Sequence, residues 1–286
     1  MQVDDVEIRD VYASNLEKEF ANMIEVSKTH PFIAMDTEFP GAIYRPPNNA
    51  TSMQLYQNLC ANVNDLKIIQ LGVSLHNSAG QPATPCGCWQ FNFKFDLNSD
   101  PHDRPSIELL QEAGIDFDLF AKDGIDVLRF SYLLMGSGLV CNPAVHWIAF
   151  HSSYDFLYLT RVLVHGALPT TNSGRLFEML RDYFPSFYDV KHIMRAAKSW
   201  SGGLDRLASD MNIPRVGPTH QAGSDALLTG KVFFFMAWDL HAEPHTLDNV
   251  LGVYRGHSYG LHSVGDHVQT FYPPNSIQGT PVRPIS

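Results

Sequence analysis

The chain has 286 residues, of which 44 % are hydrophobic and 17 % charged, a composition typical of globular proteins. No apolar run approaches the roughly 20 residues that span a bilayer, so we expect no association with a membrane. The formal net charge of −10 argues against a broad surface that coats nucleic acid, because such a surface would be basic. It leaves open an enzyme that holds a few nucleotides through metal ions.

The cysteine content bears on the cellular compartment. The four cysteines fit no disulfide framework in a chain of this length, so free thiols in a reducing compartment are expected. The acidic start of the chain, MQVDDVEIRDVY, lacks the apolar segment of a secretory signal. We therefore expect a cytoplasmic protein, with the nucleus as a second location that the sequence leaves open.

The first third of the chain is rich in predicted strands. Apolar residues at helical spacing predict helices over 15–27 and 53–66. Runs rich in β-branched and aromatic residues predict strands over 31–37, 67–76 and 88–95. The three strands are expected to form an antiparallel meander, or part of one.

The rest of the chain is predicted to be mostly helical. Helical patterns begin at about residue 104, in the segments PSIELLQEAG, DFDLFAK and IDVLRFSYLLMGSG. One more strand is predicted over 145–151, and a helix follows it directly. The predicted helices in this part of the chain lie over 153–166, 174–183, 203–211 and 221–240.

These elements predict the fold class and the domain organisation. A strand-rich start, a helix-rich remainder and one returning strand indicate an α/β fold, a mixed β-sheet flanked by α-helices on both faces. No internal repeat or linker divides the chain, so a single domain is predicted over residues 1–270. The tail 271–286 is rich in proline, serine and glycine and is expected to be disordered.

Carboxylates stand beside apolar runs at three places in the sequence. Asp36 and Glu38 follow the apolar residues of the first predicted strand, and alternate residues of a strand point to the same side. Their like charges should therefore repel at close range. Asp155 is expected in the first turn of the helix that follows the returning strand, and Asp225 near the start of the last long helix. A protein core has no use for four such carboxylates.

A pair of divalent cations accounts for this arrangement. Mg²⁺ prefers oxygen ligands, and two ions about 3.5–4 Å apart can hold both oxygens of a phosphoryl displacement. We predict that Asp36, Glu38, Asp155 and Asp225 bind such ions. Histidine titrates near neutral pH, so His220 is the candidate base, five residues before Asp225. The competing interpretation of Asp155 is a favourable charge at a helix start.

The order of these motifs resembles that of the DEDD exonucleases with the ribonuclease H-like fold, in the subclass whose third motif carries histidine. Longer segments are similar to the POP/CAF-type deadenylases of the NOT mRNA-decay complex. These segments include AMDTEFPG, FHSSYDFLYL, YDVKHIM and VGPTHQAGSDALLTG. The similarity extends over about residues 7–262, nearly the whole chain.

The resemblance implies a 3′→5′ exoribonuclease that shortens poly(A) tails and releases 5′-AMP. It implies two Mg²⁺ or Mn²⁺ ions on Asp36, Glu38, Asp155 and Asp225, with His220 positioning or deprotonating the attacking water. Its implied partners are the 3′ end of poly(A) RNA, a large NOT scaffold subunit and a second deadenylase of a different fold. Two other interpretations stay open, a nuclease that acts on other RNA or DNA ends and an adaptor without catalytic activity.

Residues next to these motifs are candidates for binding RNA. Phe39, directly after Glu38, could stack on the terminal base or belong to the core. Asp189 matches a further family acid, for which a purely structural role is the alternative. A small basic cluster could follow phosphates, although a solvated helix face would explain it equally. The cluster consists of Lys191, His192, Arg195 and Lys198.

Overall fold

Six strands form one mixed sheet in the computed structural model, which describes residues 6–197, 200–240, 252 and 254–258. The strands are β1 (Glu7–Val11), β2 (Phe32–Glu38), β3 (Gln70–His76), β4 (Cys86–Asn92), β5 (His146–Ala149) and β6 (Phe187–Asp189). Their order across the sheet is β1-β4-β3-β2-β5-β6. Strands β2, β3 and β4 form the predicted antiparallel meander, and the other three pair in parallel.

The described residues contain ten helices. They are α1 (Leu16–Ser27), α2 (Ser52–Asp65), α3 (Arg104–Glu112), α4 (Phe117–Asp123), α5 (Val127–Gly136), α6 (Ser153–Val164), α7 (Ser173–Tyr183), α8 (Val190–Ala197), α9 (Leu204–Asp210) and α10 (Ala222–Leu240). The predicted helices are present with small differences at their ends. Strands β1 and β6 and helix α8 are not predicted from the sequence. Strand β1 is a charged edge strand, and β6 has only three residues.

Two predicted strands are longer in the sequence analysis than in the structure. The strand predicted over 67–76 begins at Gln70, and the strand predicted over 88–95 is Cys86–Asn92. Phe93 still donates its backbone N–H to the carbonyl of Ile69 at 2.9 Å, but the backbone N–H of Lys94 donates to the carbonyl of Ile125 at 3.0 Å, so the chain changes partner there. An alternating aromatic pattern indicates which face is buried, but it does not show where a ladder changes partner.

The side chains of β2 point alternately to the two faces of the sheet. Ile33 and Met35 pack into the larger core, where helices such as α1 and α6 cover one face of the sheet. Phe32 and Ala34 pack on the other face with residues of α8, α9 and α10. Helices therefore lie on both faces, as predicted. Continuing the alternation places residues 36 and 38 on the face that α10 covers.

Two glycines allow α10 to lie directly on the sheet. A Cβ atom at Gly72 would lie 1.9 Å from the carbonyl oxygen of Ala222, and one at Gly230 would lie 2.2 Å from Nε2 of His76. Contacts this close exclude any side chain at either position. Gly72 pairs with Asp36 across the β2–β3 ladder. The start of α10 therefore lies beside the carboxylates of β2.

Three further expectations concern the cysteines, the membrane and the end of the chain. The four cysteines are free thiols, as expected, and the cellular location stays a prediction. Within the described ranges, no helix combines the length and the apolar character that crossing a membrane requires. The tail predicted over 271–286 and the domain end at residue 270 lie outside the described residues.

Candidate active site

The end of β2 supplies two of the candidate carboxylates. Asp36 and Glu38 are the fifth and seventh residues of this strand, and both are partly buried. Glu38 pairs with Gln70, where β3 begins. Because the apolar part of β2 is buried on both faces, the strand holds the two carboxylates rigidly at the edge of the core.

Asp155 is buried in the first turn of α6, as predicted. Its Oδ1 accepts two hydrogen bonds from Thr37, one from the backbone N–H at 2.9 Å and one from Oγ1 at 2.7 Å. Thr37 thus holds the carboxylate of Asp155 in place. The residues on either side of Thr37, Asp36 and Glu38, provide two further carboxylates. The role of Thr37 was not predicted, although the DTE triplet shows a hydroxyl residue between two acids.

Asp225 lies in the first turn of α10, and both of its oxygens have partners. Oδ2 accepts from the backbone N–H of His220 at 3.0 Å, and Oδ1 lies 2.7 Å from Nη1 of Arg215. Arg215 is held in turn by Asp205 at 2.5 Å and by Ser224 at 2.9 Å. The role of Arg215 was not predicted, since it lies ten positions before Asp225 and no spacing rule connects a loop arginine to a helix acid.

His220 is exposed at the end of the loop before α10, with a left-handed φ of 60°. This conformation turns its backbone N–H toward Asp225, so the loop and the first turn of α10 are joined. One donor atom each of Glu38, His220 and Asp225 lies within 4.8 Å of the other two. The predicted base and two predicted ligands therefore come together.

A network of side-chain amides anchors the start of α10 to the sheet. The carbonyl oxygens of Gln70 and Gln90 accept hydrogen bonds from the backbone N–H groups of Ala222 and Gly223, at 3.2 and 3.0 Å. The two amide groups then donate to Oε1 of Gln221, at 3.2 and 2.8 Å. These bonds satisfy donors that every helix start leaves free. This network was not predicted, and its signal in the sequence is the glutamines at buried strand positions.

Loss of solvation raises the pKa of all four carboxylates. Loss of solvation, followed by the charges of Asp155, Asp225 and Glu38, raises the pKa of Asp36 well above its usual range. Loss of solvation and the same two aspartates raise the pKa of Glu38 to about 8. Loss of solvation raises the pKa of Asp155 to about 7, although the hydrogen bonds from Thr37 oppose this shift. The charges of Asp155 and Asp225 act on both Asp36 and Glu38, which shows that the four groups converge.

This donor set fits divalent cations. Four carboxylates and one imidazole offer the hard oxygen and nitrogen ligands that Mg²⁺ and Mn²⁺ accept. Arg215 contributes one positive charge, which lowers the pKa of Asp36 and of Asp225 without cancelling the rise from lost solvation. Bound divalent ions would supply the remaining positive charge that the cluster needs.

Phe39 contacts aromatic residues of α6. Its ring centroid lies 4.7 Å from that of Tyr154 and 5.0 Å from that of Tyr158, and both pairs are stacked. It is partly buried against the larger core. These contacts favour the core interpretation, and contact with an RNA base stays a prediction.

Asp189 is buried and joins two backbone segments. Its carboxylate accepts hydrogen bonds from the N–H groups of His151, Ser152 and Lys191, at 3.1, 3.0 and 2.8 Å. Such a group positions the loop that leads into α6. These contacts favour the structural interpretation of Asp189.

The basic cluster after Asp189 is partly engaged within the protein. Nζ of Lys191 donates to the carbonyl of Gly202 at 2.6 Å and lies 5.5 Å from the ring centroid of Phe150. His192 stacks on His257 at 5.0 Å, and loss of solvation lowers its pKa. Arg195 is exposed, and Lys198 lies outside the described residues. A role in binding phosphates stays a prediction for these residues.

Comparison with known proteins adds independent evidence on the family. The family model described as CAF1 family ribonuclease matches residues 11–133. The chain is 48 % identical to a "Probable CCR4-associated factor 1 homolog 7" of Arabidopsis thaliana, over 80 % of this chain and 86 % of that protein. It is 44 % identical to "Poly(A) ribonuclease pop2" of Schizosaccharomyces pombe, over 79 % of this chain and 68 % of that protein.

Solved structures agree with these relatives. The structure of Schizosaccharomyces pombe Pop2p in its Mg²⁺- and Mn²⁺-bound form is similar with a TM-score of 0.82 and 41 % identity, covering 88 % of this chain and 99 % of that one. The yeast CAF1 crystallised with the NOT1 MIF4G domain is similar with a TM-score of 0.72 and 32 % identity, covering 88 % and 96 %. Because the identity to these relatives is high and extends over most of their length, the chain belongs to the CAF1 family of ribonucleases.

Proposed function

We propose that this chain is a deadenylase, a metal-dependent 3′→5′ exoribonuclease that shortens mRNA poly(A) tails and releases 5′-AMP. The observation that carries the proposal is the convergence of Asp36, Glu38, Asp155, Asp225 and His220 in a member of this family. The relative named poly(A) ribonuclease supports the substrate, and the Mg²⁺- and Mn²⁺-bound structure supports the cofactor.

The carboxylates would hold two divalent ions. Asp36 and Glu38 bring two ligands on a rigid strand, and Asp155 and Asp225 bring two more from helix starts. When bound, Mg²⁺ or Mn²⁺ would stabilise the negative charge that develops on the phosphate and its leaving oxygen. Thr37 would keep Asp155 in position, because it donates two hydrogen bonds to Oδ1 of that carboxylate.

The chain's own base would be His220. A water molecule attacks the last phosphorus, the new O–P bond forms and the P–O3′ bond breaks. His220 would accept the proton of the attacking water and pass it to solvent, since its side chain is exposed. The O3′ oxygen of the shortened RNA takes up a proton, and 5′-AMP leaves. The hydrogen bond between the His220 backbone and Asp225 would keep the base and the metal ligand at a fixed position relative to each other.

We also propose that the chain works within a NOT-type assembly. A similar yeast protein was crystallised with the NOT1 MIF4G domain, and a plant relative is named CCR4-associated. A NOT scaffold and a second deadenylase subunit are therefore the proposed partners. The net charge of −10 predicts weak binding of RNA by the isolated chain, so recruitment would supply the local concentration of substrate.

The deciding experiment compares the chain with its Asp36→Asn variant on 3′-adenylated RNA, with and without Mg²⁺ or Mn²⁺. We expect the chain to remove adenylates only with metal, and the variant to be inactive while it remains folded. Activity of the variant equal to that of the original chain would refute the mechanism.

A second substrate tests the specificity. The same assay on RNA of mixed sequence at the 3′ end separates a deadenylase from a nuclease that acts on other ends. We expect faster removal of a terminal A-tract. No activity on any RNA, with the metals bound, would favour the adaptor interpretation.

A further inference from the structure

A cavity of about 510 Å³ lies on the α6 side of the sheet. It is separate from the acid cluster, that is, from Asp36, Glu38, Asp155 and Asp225. The end of α2, the segment before β3, the chain after β4 and the middle of α6 form its walls. Its volume falls in the range of small-molecule sites, roughly 300–1,000 Å³. The proposed nuclease mechanism makes no use of it.

Two donors in the wall of this cavity have no acceptor. The hydroxyl of Tyr158 and Nε of Arg161 are buried, and neither has a hydrogen-bond partner among the residues that the structure describes. The two residues are three positions apart on α6, so their side chains share one face of the helix. A buried donor without an acceptor costs free energy and calls for an explanation. An acceptor from a bound ligand supplies one.

Three cations and four aspartates line the cavity. Asp96 and Asp126 accept hydrogen bonds from the backbone N–H groups of Asn98 and Arg129, both at 2.9 Å. Lys67 lies 2.5 Å from Asp100 and is thereby engaged. Arg161 and Lys94, by contrast, form no ion pair within the part of the chain that the structure describes, and both line the cavity. A phosphate group suits this pair, because guanidinium and ammonium groups bind phosphate oxygens strongly.

The other walls suit the rest of a nucleotide. Leu66, Ile68 and Val162 provide apolar surface for a base. Asp65, which already accepts the hydroxyl of Tyr44 at 2.6 Å, keeps oxygens that can accept the hydroxyls of a ribose. Free inorganic phosphate would contact only the cations, whereas a nucleotide would contact the cations, the apolar side chains and Asp65.

We propose that this cavity is a second binding site, which takes a nucleoside monophosphate. Its phosphate contacts Arg161 and Lys94, and the hydroxyl of Tyr158 donates to the same ligand. The site is distinct from the acid cluster, because none of the four carboxylates of that cluster lines the cavity. The proposal goes beyond the nuclease function and does not depend on it.

The test is calorimetric titration of the full chain with AMP in excess EDTA, so that no metal ion at the acid cluster can hold the phosphate. We expect one AMP per chain. Arg161→Gln should weaken the affinity roughly tenfold or more, because it removes charge-assisted hydrogen bonds. Arg175→Gln is the matched control, since Arg175 is an exposed helix arginine that pairs with Glu178 and should leave the affinity unchanged.

Two further comparisons test which parts of AMP the cavity recognises. Tyr158→Phe removes a hydroxyl that has no partner, so the variant should fold normally and bind AMP several-fold more weakly. Adenosine and inorganic phosphate should each bind at least about tenfold more weakly than AMP, since each lacks one half of the contacts. The proposal is overturned if AMP does not bind, if Arg161→Gln binds as Arg175→Gln does, or if adenosine or phosphate matches AMP.

Discussion

Arg215 and Asp225 form an ion pair at the candidate active site, with 2.7 Å between Nη1 and Oδ1. The side chains are only 17 % and 11 % exposed, so solvent screens this pair much less than a surface salt bridge. The second oxygen of Asp225 is held by the backbone of His220. The loop before α10 thus fixes both oxygens of the carboxylate that α10 contributes.

The first prediction concerns this pair. Arg215→Gln should lower the free energy of unfolding in EDTA by about 1–3 kcal/mol at about pH 8, because a buried carboxylate loses a charged donor. The loss should be smaller at about pH 5, where more of Asp225 is protonated, since lost solvation raises its pKa. Denaturant titrations at both pH values measure this difference. Arg206→Gln is the control, because Arg206 is 68 % exposed and faces Asp210 at 3.9 Å. An equal loss at the two pH values would contradict the role of charge.

The second prediction is that the metal-free protein loses stability as the pH rises. Glu38 and Asp155 have folded-state pKa values of about 8 and about 7, above those of the unfolded chain. Between about pH 4 and pH 8 the folded state therefore binds more protons than the unfolded state, and stability falls as these protons leave. Melting temperatures in EDTA across this range measure the effect.

A variant and the addition of metal ions test whether the loss of stability at high pH comes from the acid cluster. Asp36→Asn should raise the melting temperature above about pH 7, because it removes one repelling charge from its neighbours. Mg²⁺ or Mn²⁺ should raise the melting temperature of the unchanged protein most at high pH, since binding to the folded state alone stabilises it. A melting temperature in EDTA that rises from about pH 5 to pH 8 would contradict the repulsion.

The third prediction tests how α10 reaches the sheet. Gly72→Ala should destabilise the protein by about 1–3 kcal/mol or more and abolish nuclease activity, because the new Cβ would lie 1.9 Å from the carbonyl oxygen of Ala222. Gly136→Ala is the control, since nothing lies within 4 Å of a Cβ at that position. Thermal unfolding and a deadenylation assay measure both effects. Normal activity of Gly72→Ala would show that α10 can shift without harm to the site.

The sequence predicted the parts of the fold that depend on periodicity. The meander of β2, β3 and β4 and every helix except α8 followed from apolar spacing. The carboxylates of the site were predicted because each stands beside an apolar run, which fixes its place at a strand end or helix start. The resemblance to a known family added the RNase H-like fold and the poly(A) substrate, which no spacing indicated.

The missed features are contacts between segments far apart in the chain. Thr37 binds Asp155 across 118 positions, and Gln70 binds the start of α10 across 152 positions. No local pattern encodes such partners, because they exist only when the sheet and the helices are assembled. The close approach at Gly72 is of the same kind, since a glycine in a strand does not reveal what lies against it.

The last prediction separates the side chain of His220 from its backbone. His220 has a φ of 60°, which asparagine tolerates and alanine does not, at a cost of about 1–2 kcal/mol. His220→Asn should therefore keep the melting temperature and the hydrogen bond to Asp225, yet lower kcat by about 10²–10⁴ because the base is lost. His220→Ala should lose both activity and stability. Because His220 also lies within reach of a metal with Glu38 and Asp225, the assay includes a titration with Mn²⁺. If His220 acts as the base, kcat stays low at saturating Mn²⁺, whereas recovery at high Mn²⁺ would identify it as a ligand.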